Sequence, residues 1–82
     1  MRRILYFGLS KNKLCKSPLV MSMLRVLEKN PNNQVEKYLD QRDQMEKYGI
    51  RSVPCMLVIQ EGKEDEEYVG TTQFEIVAVL YA

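Results

Sequence analysis

The sequence predicts an α/β fold, in which three helices flank a four-stranded mixed sheet. Three observations lead to this prediction. Residues 55–59 form an uncharged apolar run, which is typical of a strand buried on both faces. Residues 18–29 show an amphipathic helical pattern. Strand and helix patterns follow one another in the order β-α-β-α-β-β-α over the 82 residues, which predicts a single domain, 1–82.

The first half of the chain predicts two strands and the best helix of the protein. Residues 3–8 are nearly all apolar and are stopped by Gly8, as expected for a first strand. A polar, basic segment separates this strand from the helix 18–29. The turn cluster at residues 30–33 ends that helix, and residues 35–39 alternate as a second strand. The apolar face of the helix is predicted to contain Leu19, Val20, Met23, Leu24 and Leu27.

Two starts for this helix compete. Asn12 is a good N-cap, and a helix that begins there contains Cys15 in its first turn and Pro18 in its interior. Ser17 followed by Pro18 is also a good pair of cap and first residue, and it leaves Cys15 in the preceding loop. An interior proline costs about 3 kcal/mol, so local physics favours the start at Ser17.

The second half predicts a short helix, a β-hairpin and a final helix. Residues 40–48 form the short helix, with Met45 and Tyr48 facing inward, and Gly49 closes it in the left-handed conformation. The buried strand 55–59 turns at residues 61–63 into a return strand that reaches Gly70. The connections predict that the first three strands are parallel and that the fourth is antiparallel.

The final helix is predicted from a capping box and from its apolar positions. Thr72 and the glutamate three residues later, Glu75, form the capping-box signature. The inward-facing residues are predicted to be Phe74, Val77, Leu80 and Tyr81.

Composition excludes several classes of protein. The net charge of +1 gives no basis for nucleic-acid binding. No apolar stretch has the length of a membrane span or of a signal-peptide core, so we expect a cytoplasmic protein whose thiols are kept reduced. The chain has no histidine, and therefore lacks the commonest metal ligand and general base. Nothing suggests an obligate assembly, and we expect a monomer without a metal or a cofactor.

The segment 48–57, Tyr-Gly-Ile-Arg-Ser-Val-Pro-Cys-Met-Leu, resembles the corresponding segment of the thioredoxin/glutaredoxin-like superfamily. Tyr68-Val69-Gly70 and the order of the elements also resemble this family. The resemblance covers nearly the whole chain from Ile4 on. It implies that Pro54 is a cis-proline beside the active thiol, and that the backbone of Val53 pairs with a substrate strand.

The active-site motif departs from that of the family. Active thioredoxins have a Cys-Gly-Pro-Cys-Lys run after the first strand, and ungapped alignment from Phe7 places Asn12 at the first cysteine, Cys15 at the second and Lys16 after it. An amide cannot form a thiolate, so two-cysteine reduction of disulfides is not available through this motif. The substrate-binding residues implied by the resemblance are Asn12, Lys13, Lys16, Val53 and Pro54.

Three interpretations of Cys15 remain open. In the first interpretation Cys15 is a working single thiol, and the neighbouring lysines Lys11, Lys13 and Lys16 favour its thiolate form. Alternatively, it pairs with Cys55, since the family resemblance brings the start of the central strand close to the active-site helix. In the third interpretation both cysteines are small apolar fillers.

The first two interpretations make Cys15, and tentatively Cys55, catalytic in thiol–disulfide chemistry, with protein thiols, disulfides or glutathione as partners. The third gives a redox-inactive, thioredoxin-like module that binds proteins through Val53 and Pro54. Iron–sulfur binding of the single-thiol glutaredoxin kind is not expected, because that group's Cys-Gly-Phe-Ser motif is absent.

Overall fold

A computed structural model describes all 82 residues of the chain. It confirms the predicted α/β fold class and the order of the elements. The strands and helices in chain order are β1 Arg2–Gly8, a 3₁₀ helix Lys13–Lys16, α1 Pro18–Glu28, β2 Asn33–Leu39, α2 Arg42–Lys47, β3 Cys55–Ile59, β4 Glu66–Val69 and α3 Thr71–Tyr81.

The four strands form one mixed sheet in the order β2-β1-β3-β4. β1 runs parallel to β2, whereas β3 runs antiparallel to both β1 and β4. The prediction of three parallel strands is therefore wrong. β2 ends at Leu39 beside Gly8, and β3 begins at Cys55 beside Phe7, which lies at the same end of the sheet. α2 has six residues, or about 9 Å, and is too short to carry the chain back along the sheet.

Each face of the sheet packs against different elements. Alternate residues of a strand point to opposite faces, so Ile4 and Tyr6 of β1 enter one core cluster, and Leu5 and Phe7 enter the other. The larger cluster is covered by α1 and α3. The smaller cluster is completed by Cys55 and Leu57 of β3, by Ile50, and by the partly buried Met45 and Tyr48 of the predicted inward face.

The buried residues of the two long helices differ from the prediction at one position each. Val20, Met23, Leu24 and Leu27 of α1 are buried, and so are Phe74 and Val77 of α3. Leu19 is 49% exposed and Leu80 is 56% exposed, so their predicted inward positions are wrong. Both lie at the edge of an apolar face that is wider than the contact between the helix and the sheet.

Three element starts also differ. α3 begins at Thr71 behind Gly70, which has φ 87° and provides no side-chain cap. The predicted capping box of Thr72 and Glu75 is therefore wrong, because the helix starts two residues too early for it. α2 begins at Arg42, two residues later than predicted, because Asp40 takes a left-handed conformation with φ 57°. β2 begins at Asn33, two residues earlier than predicted.

Candidate functional site

The segment between β1 and α1 uses both of the helix starts that the sequence offers. The Asn12 side chain accepts a hydrogen bond from the Leu14 N–H at 2.9 Å and caps the 3₁₀ helix. The Ser17 hydroxyl accepts one from the Val20 N–H at 3.3 Å and caps α1, whose first residue is Pro18. The proline thus removes no hydrogen bond from the helix interior. Cys15 lies in the 3₁₀ helix, just before α1.

Cys15 is held against the end of β1 and has no exposed surface. The Leu9 N–H donates a hydrogen bond to the Cys15 Sγ at 3.4 Å, and the Tyr6 hydroxyl donates one to the Cys15 carbonyl at 2.6 Å. This close approach is possible because residue 8 is a glycine. A methyl group added at Gly8 would lie 3.1 Å from the Cys15 Cβ and 3.1 Å from the Tyr6 hydroxyl.

The Val53–Pro54 segment lies next to this end of β1. Their peptide bond is cis, and Pro54 is buried. The Pro54 carbonyl accepts a hydrogen bond from the Gly70 N–H at 3.0 Å. The backbone N–H and carbonyl of Val53, which is half-buried and precedes β3, form no hydrogen bond within the protein. These two groups are therefore free to pair with another extended chain.

Cys55 belongs to the opposite face of the sheet from Cys15. In the antiparallel pairing Cys55 lies directly across from Phe7, and it packs with Phe7 in the smaller cluster. Cys15 instead approaches Gly8 and Tyr6, which point to the other face. Both thiols are free. The hypothesis of a Cys15–Cys55 disulfide is thus opposed by the geometry, because the sheet itself separates the two sulfurs.

The thiol of Cys55 is stabilised in its protonated form. Burial, together with a smaller effect of the neighbouring Glu67 carboxylate, raises its pKa to about 12. The Cys55 Sγ lies 3.8 Å from Glu67 Oε1. A thiol with so high a pKa is a poor nucleophile near neutral pH, because the thiolate is the reactive form. This environment is that of a packed core cysteine, and it does not support the tentative catalytic role of Cys55.

Basic side chains surround the segment that contains Cys15. Lys11, Lys13 and Lys16 are exposed, and none of them forms an ion pair. Asp40, beyond the end of β2, accepts a hydrogen bond from the Ser10 N–H at 2.9 Å. That hydrogen bond lowers the pKa of Asp40, with smaller contributions from Lys16 and Arg42.

A shallow cleft of about 360 Å³ lies next to the Val53–Pro54 segment, on the side of β4. Its lining residues are Gly49, Arg51, Ser52, Glu67 and Val69. The predicted site residues all lie at one end of the sheet, but Cys55 faces the smaller core cluster on the opposite face from Cys15. Sequence reasoning missed Gly8 and the Leu9 N–H. A glycine that ends a strand directly before a polar loop was the available signal for the close approach at Gly8.

Comparison with solved structures finds this architecture in several thioredoxins. A mutant thioredoxin from Halobacterium salinarum superposes with a TM-score of 0.78 at 20% identity, over 98% of this chain and 71% of that one. The thioredoxin of Fasciola hepatica gives a TM-score of 0.76 at 16% identity, over 99% of this chain and 81% of that one. A thioredoxin from Arabidopsis thaliana in its oxidised state gives 0.72 at 21% identity, over 100% of this chain and 76% of that one.

No protein-family model matches the sequence, and a search of curated proteins gives no match. The structural likeness establishes that the chain has the thioredoxin-like fold, which confirms at the level of the fold the resemblance seen in segment 48–57. No helix has the length and apolar character needed to cross a membrane.

Proposed function

We propose that this protein binds extended segments of partner proteins along the backbone of Val53, in a groove shaped by Pro54. The free N–H and carbonyl of Val53 are the observation on which the proposal depends. An extended chain that adds to them gains backbone hydrogen bonds in the way of β-strand addition. The partners are proteins, and we place the interaction in the cytoplasm, where the thiols of this chain stay reduced.

Binding is favoured over redox catalysis because the chain lacks an accessible thiol. The position aligned with the attacking cysteine of thioredoxins is Asn12, whose amide cannot ionise to a nucleophile. Cys15 has no exposed surface, so a partner disulfide cannot reach its sulfur unless the 3₁₀ helix opens. Binding of an extended chain at Val53 does not require the 3₁₀ helix to open.

Fluorescence anisotropy with defined peptides tests this proposal. Three labelled seven-residue peptides alternate valine, which favours extended structure, with Glu, Gln or Lys. We expect at least one to bind with a Kd at or below about 1 mM. A copy that is N-methylated at every residue lacks the donors for the Val53 carbonyl on both edges and is expected not to bind. Failure of all three peptides, or equal binding of the methylated copy, would overturn the proposal.

A second candidate function is thiol–disulfide exchange through Cys15 alone. The hydrogen bond from the Leu9 N–H to the Cys15 Sγ and the three lysines in the neighbouring sequence favour it, because reactive cysteines lie beside donors and positive charges. In this reaction the Cys15 thiolate attacks glutathione disulfide or a partner disulfide. A mixed disulfide forms at Cys15 while the old S–S bond breaks, and the second sulfur leaves as a thiolate.

Alkylation of the native protein separates the two candidates. If Cys15 takes part in exchange, iodoacetamide modifies it without denaturant and glutathione disulfide adds one glutathione to it, as seen by mass spectrometry. The variant Cys55→Ser assigns the modification to Cys15. If Cys15 is modified only after unfolding, the exchange function is excluded and the binding function is unaffected.

A further inference from the structure

Four basic residues border the Val53 groove without a partner of their own. Lys11, Lys13, Lys16 and Arg51, here called the basic rim, are all exposed. The ion pairs of the protein join Arg3 to Glu36 and Lys37 to Glu28, so none of the rim residues takes part in one. Their charges are therefore available to a bound segment.

The register of the sheet places the rim on both sides of the groove. Phe7 pairs with Cys55, so the next residues along, Gly8 and Pro54, are neighbours at the end of the sheet. The segment 11–16 carries the three lysines on one side, and its 3₁₀ helix Lys13–Lys16 lies over Gly8. Arg51 lies two residues before Val53 and lines the cleft on the other side.

Most of the acidic residues near the hairpin lie at the far end of the sheet. Arg3 pairs with Ile59, so the turn that follows β3, with Glu61, Glu64 and Asp65, is at the opposite end from the groove. Four carboxylates lie closer. Asp40 is engaged by the Ser10 N–H, and Glu67 lies beside the Cys55 thiol. Asp43 and Glu46 belong to α2, and Glu46 lines a cleft together with Arg51. The three lysines of the rim form no ion pair with any of these carboxylates.

We infer that the partner segments of this groove are acidic: extended stretches of protein in which Asp or Glu residues flank the part that pairs with Val53. This inference rests on the proposed function and specifies its class of ligand. Complementary charge raises both the rate and the specificity of association, whereas a basic segment is repelled by the rim. The exposed Leu14, between Lys13 and Cys15 in the sequence, offers such a segment an apolar contact among the charges.

The three peptides of the binding experiment test this inference directly. At low salt we expect the Glu peptide to bind at least roughly tenfold more tightly than the Lys peptide, with the Gln peptide between them. Because salt screens exposed charges, the difference in affinity between the Glu and Lys peptides is expected to shrink at an ionic strength of about 1 M. The double variant Lys13→Gln, Lys16→Gln is expected to weaken binding of the Glu peptide by about fourfold to twentyfold and to weaken binding of the Gln peptide much less. The control Lys63→Gln, on the hairpin at the far end, changes neither.

The outcomes separate the inference from the proposed function. If the three peptides bind equally and the methylated copy does not bind, the groove binds extended chains without a preference for acidic ones, and the inference is overturned alone. If the Glu peptide binds best but the double variant matches the Lys63→Gln control, the preference does not come from the rim, and the inference is again overturned. If no peptide binds, both the inference and the proposed function fail.

Discussion

At the scale of single residues, the packing around Gly8 determines where the thiol of Cys15 can lie. Three side chains from different parts of the chain converge on this glycine, namely Tyr6, Cys15 and Leu39. Glycine is unfavourable inside a strand by about 0.5 to 1 kcal/mol relative to alanine. Its presence at the end of β1 is explained by the close approach of the 3₁₀ helix.

The variant Gly8→Ala tests this explanation. The added methyl group would meet three atoms at 3.1 Å, and overpacking of this kind costs about 1 to 3 kcal/mol. We therefore expect a lower free energy of unfolding in urea, together with faster alkylation of Cys15 as the 3₁₀ helix is displaced. The exposed substitution Ser52→Ala serves as a control for stability. A Gly8→Ala protein that is as stable as the parent, or more stable, would contradict the proposed packing.

The raised pKa of Cys55 predicts that the protein loses stability at alkaline pH. Its pKa is raised from 9.0 to about 12 in the folded protein, so above pH 9 the unfolded chain has lost a proton that the folded chain keeps. A raised pKa of this kind stabilises the fold below the unfolded value and loses that contribution as the pH rises. Between pH 8 and 10 the free energy of unfolding is expected to fall by about 1 to 1.5 kcal/mol through this group.

Urea unfolding of Cys55→Ala over the same pH range isolates the contribution. The variant is less stable at pH 8 because it leaves a small cavity, but its stability is expected to fall less steeply toward pH 10 than that of the parent. If the free energy of unfolding falls equally with pH in the two proteins, the thiol of Cys55 has an ordinary pKa in the folded protein, and the prediction is contradicted.

At the scale of elements, the two caps divide the segment after β1 into separate helices. Ser17→Ala removes the cap of α1 and is expected to lower the free energy of unfolding by about 1 kcal/mol. Ser22→Ala, on the exposed face inside the same helix, is the matched control. It is expected to be neutral or slightly stabilising, because alanine is the better helix former. Equal effects of the two substitutions would mean that Ser17 does not act as a cap.

The elements that could be predicted from the sequence are those whose pattern is local. The apolar run of β3 and the periodicity of α1 each predicted their element to within one residue. The direction of β3 could not be predicted in this way, since it depends on where the connection through α2 returns to the sheet. The predicted burial of Leu80 was wrong for a related reason. Periodicity defines an apolar face, but it does not define how much of that face a neighbouring element covers.

The location of the candidate site residues could be predicted from the sequence, but their geometry could not. Asn12, Lys13, Lys16, Val53 and Pro54 lie at the end of the sheet where β1 ends and β3 begins, and their role in binding stays a prediction. The burial of Cys15 and its separation from Cys55 depend on contacts between residues that are distant in the chain, and on which face of the sheet each side chain joins. Neither property leaves a periodic signal in the sequence.

At the scale of the whole molecule, the thioredoxin-like fold predicts that disulfide-reductase chemistry can be introduced by a substitution at one position. Asn12→Cys recreates the two-cysteine spacing with Cys15 and places the new thiol at a helix N-cap among lysines, where a thiolate is favoured. We expect this variant to gain disulfide-reductase activity that the parent lacks, measured as reduction of a protein disulfide with dithiothreitol as the electron source. Asn12→Ser is the control. The absence of any gain would count against the alignment of Asn12 with the attacking cysteine.

The central claim, that the backbone of Val53 is the binding element, is tested most directly by amide hydrogen exchange. The Val53 N–H forms no hydrogen bond within the protein, and we expect it to exchange rapidly in the free state. Saturation with the Glu peptide is expected to slow its exchange by at least about tenfold, while the Ile59 N–H at the far end of β3 changes little. Binding that leaves the Val53 amide in rapid exchange would contradict the claim.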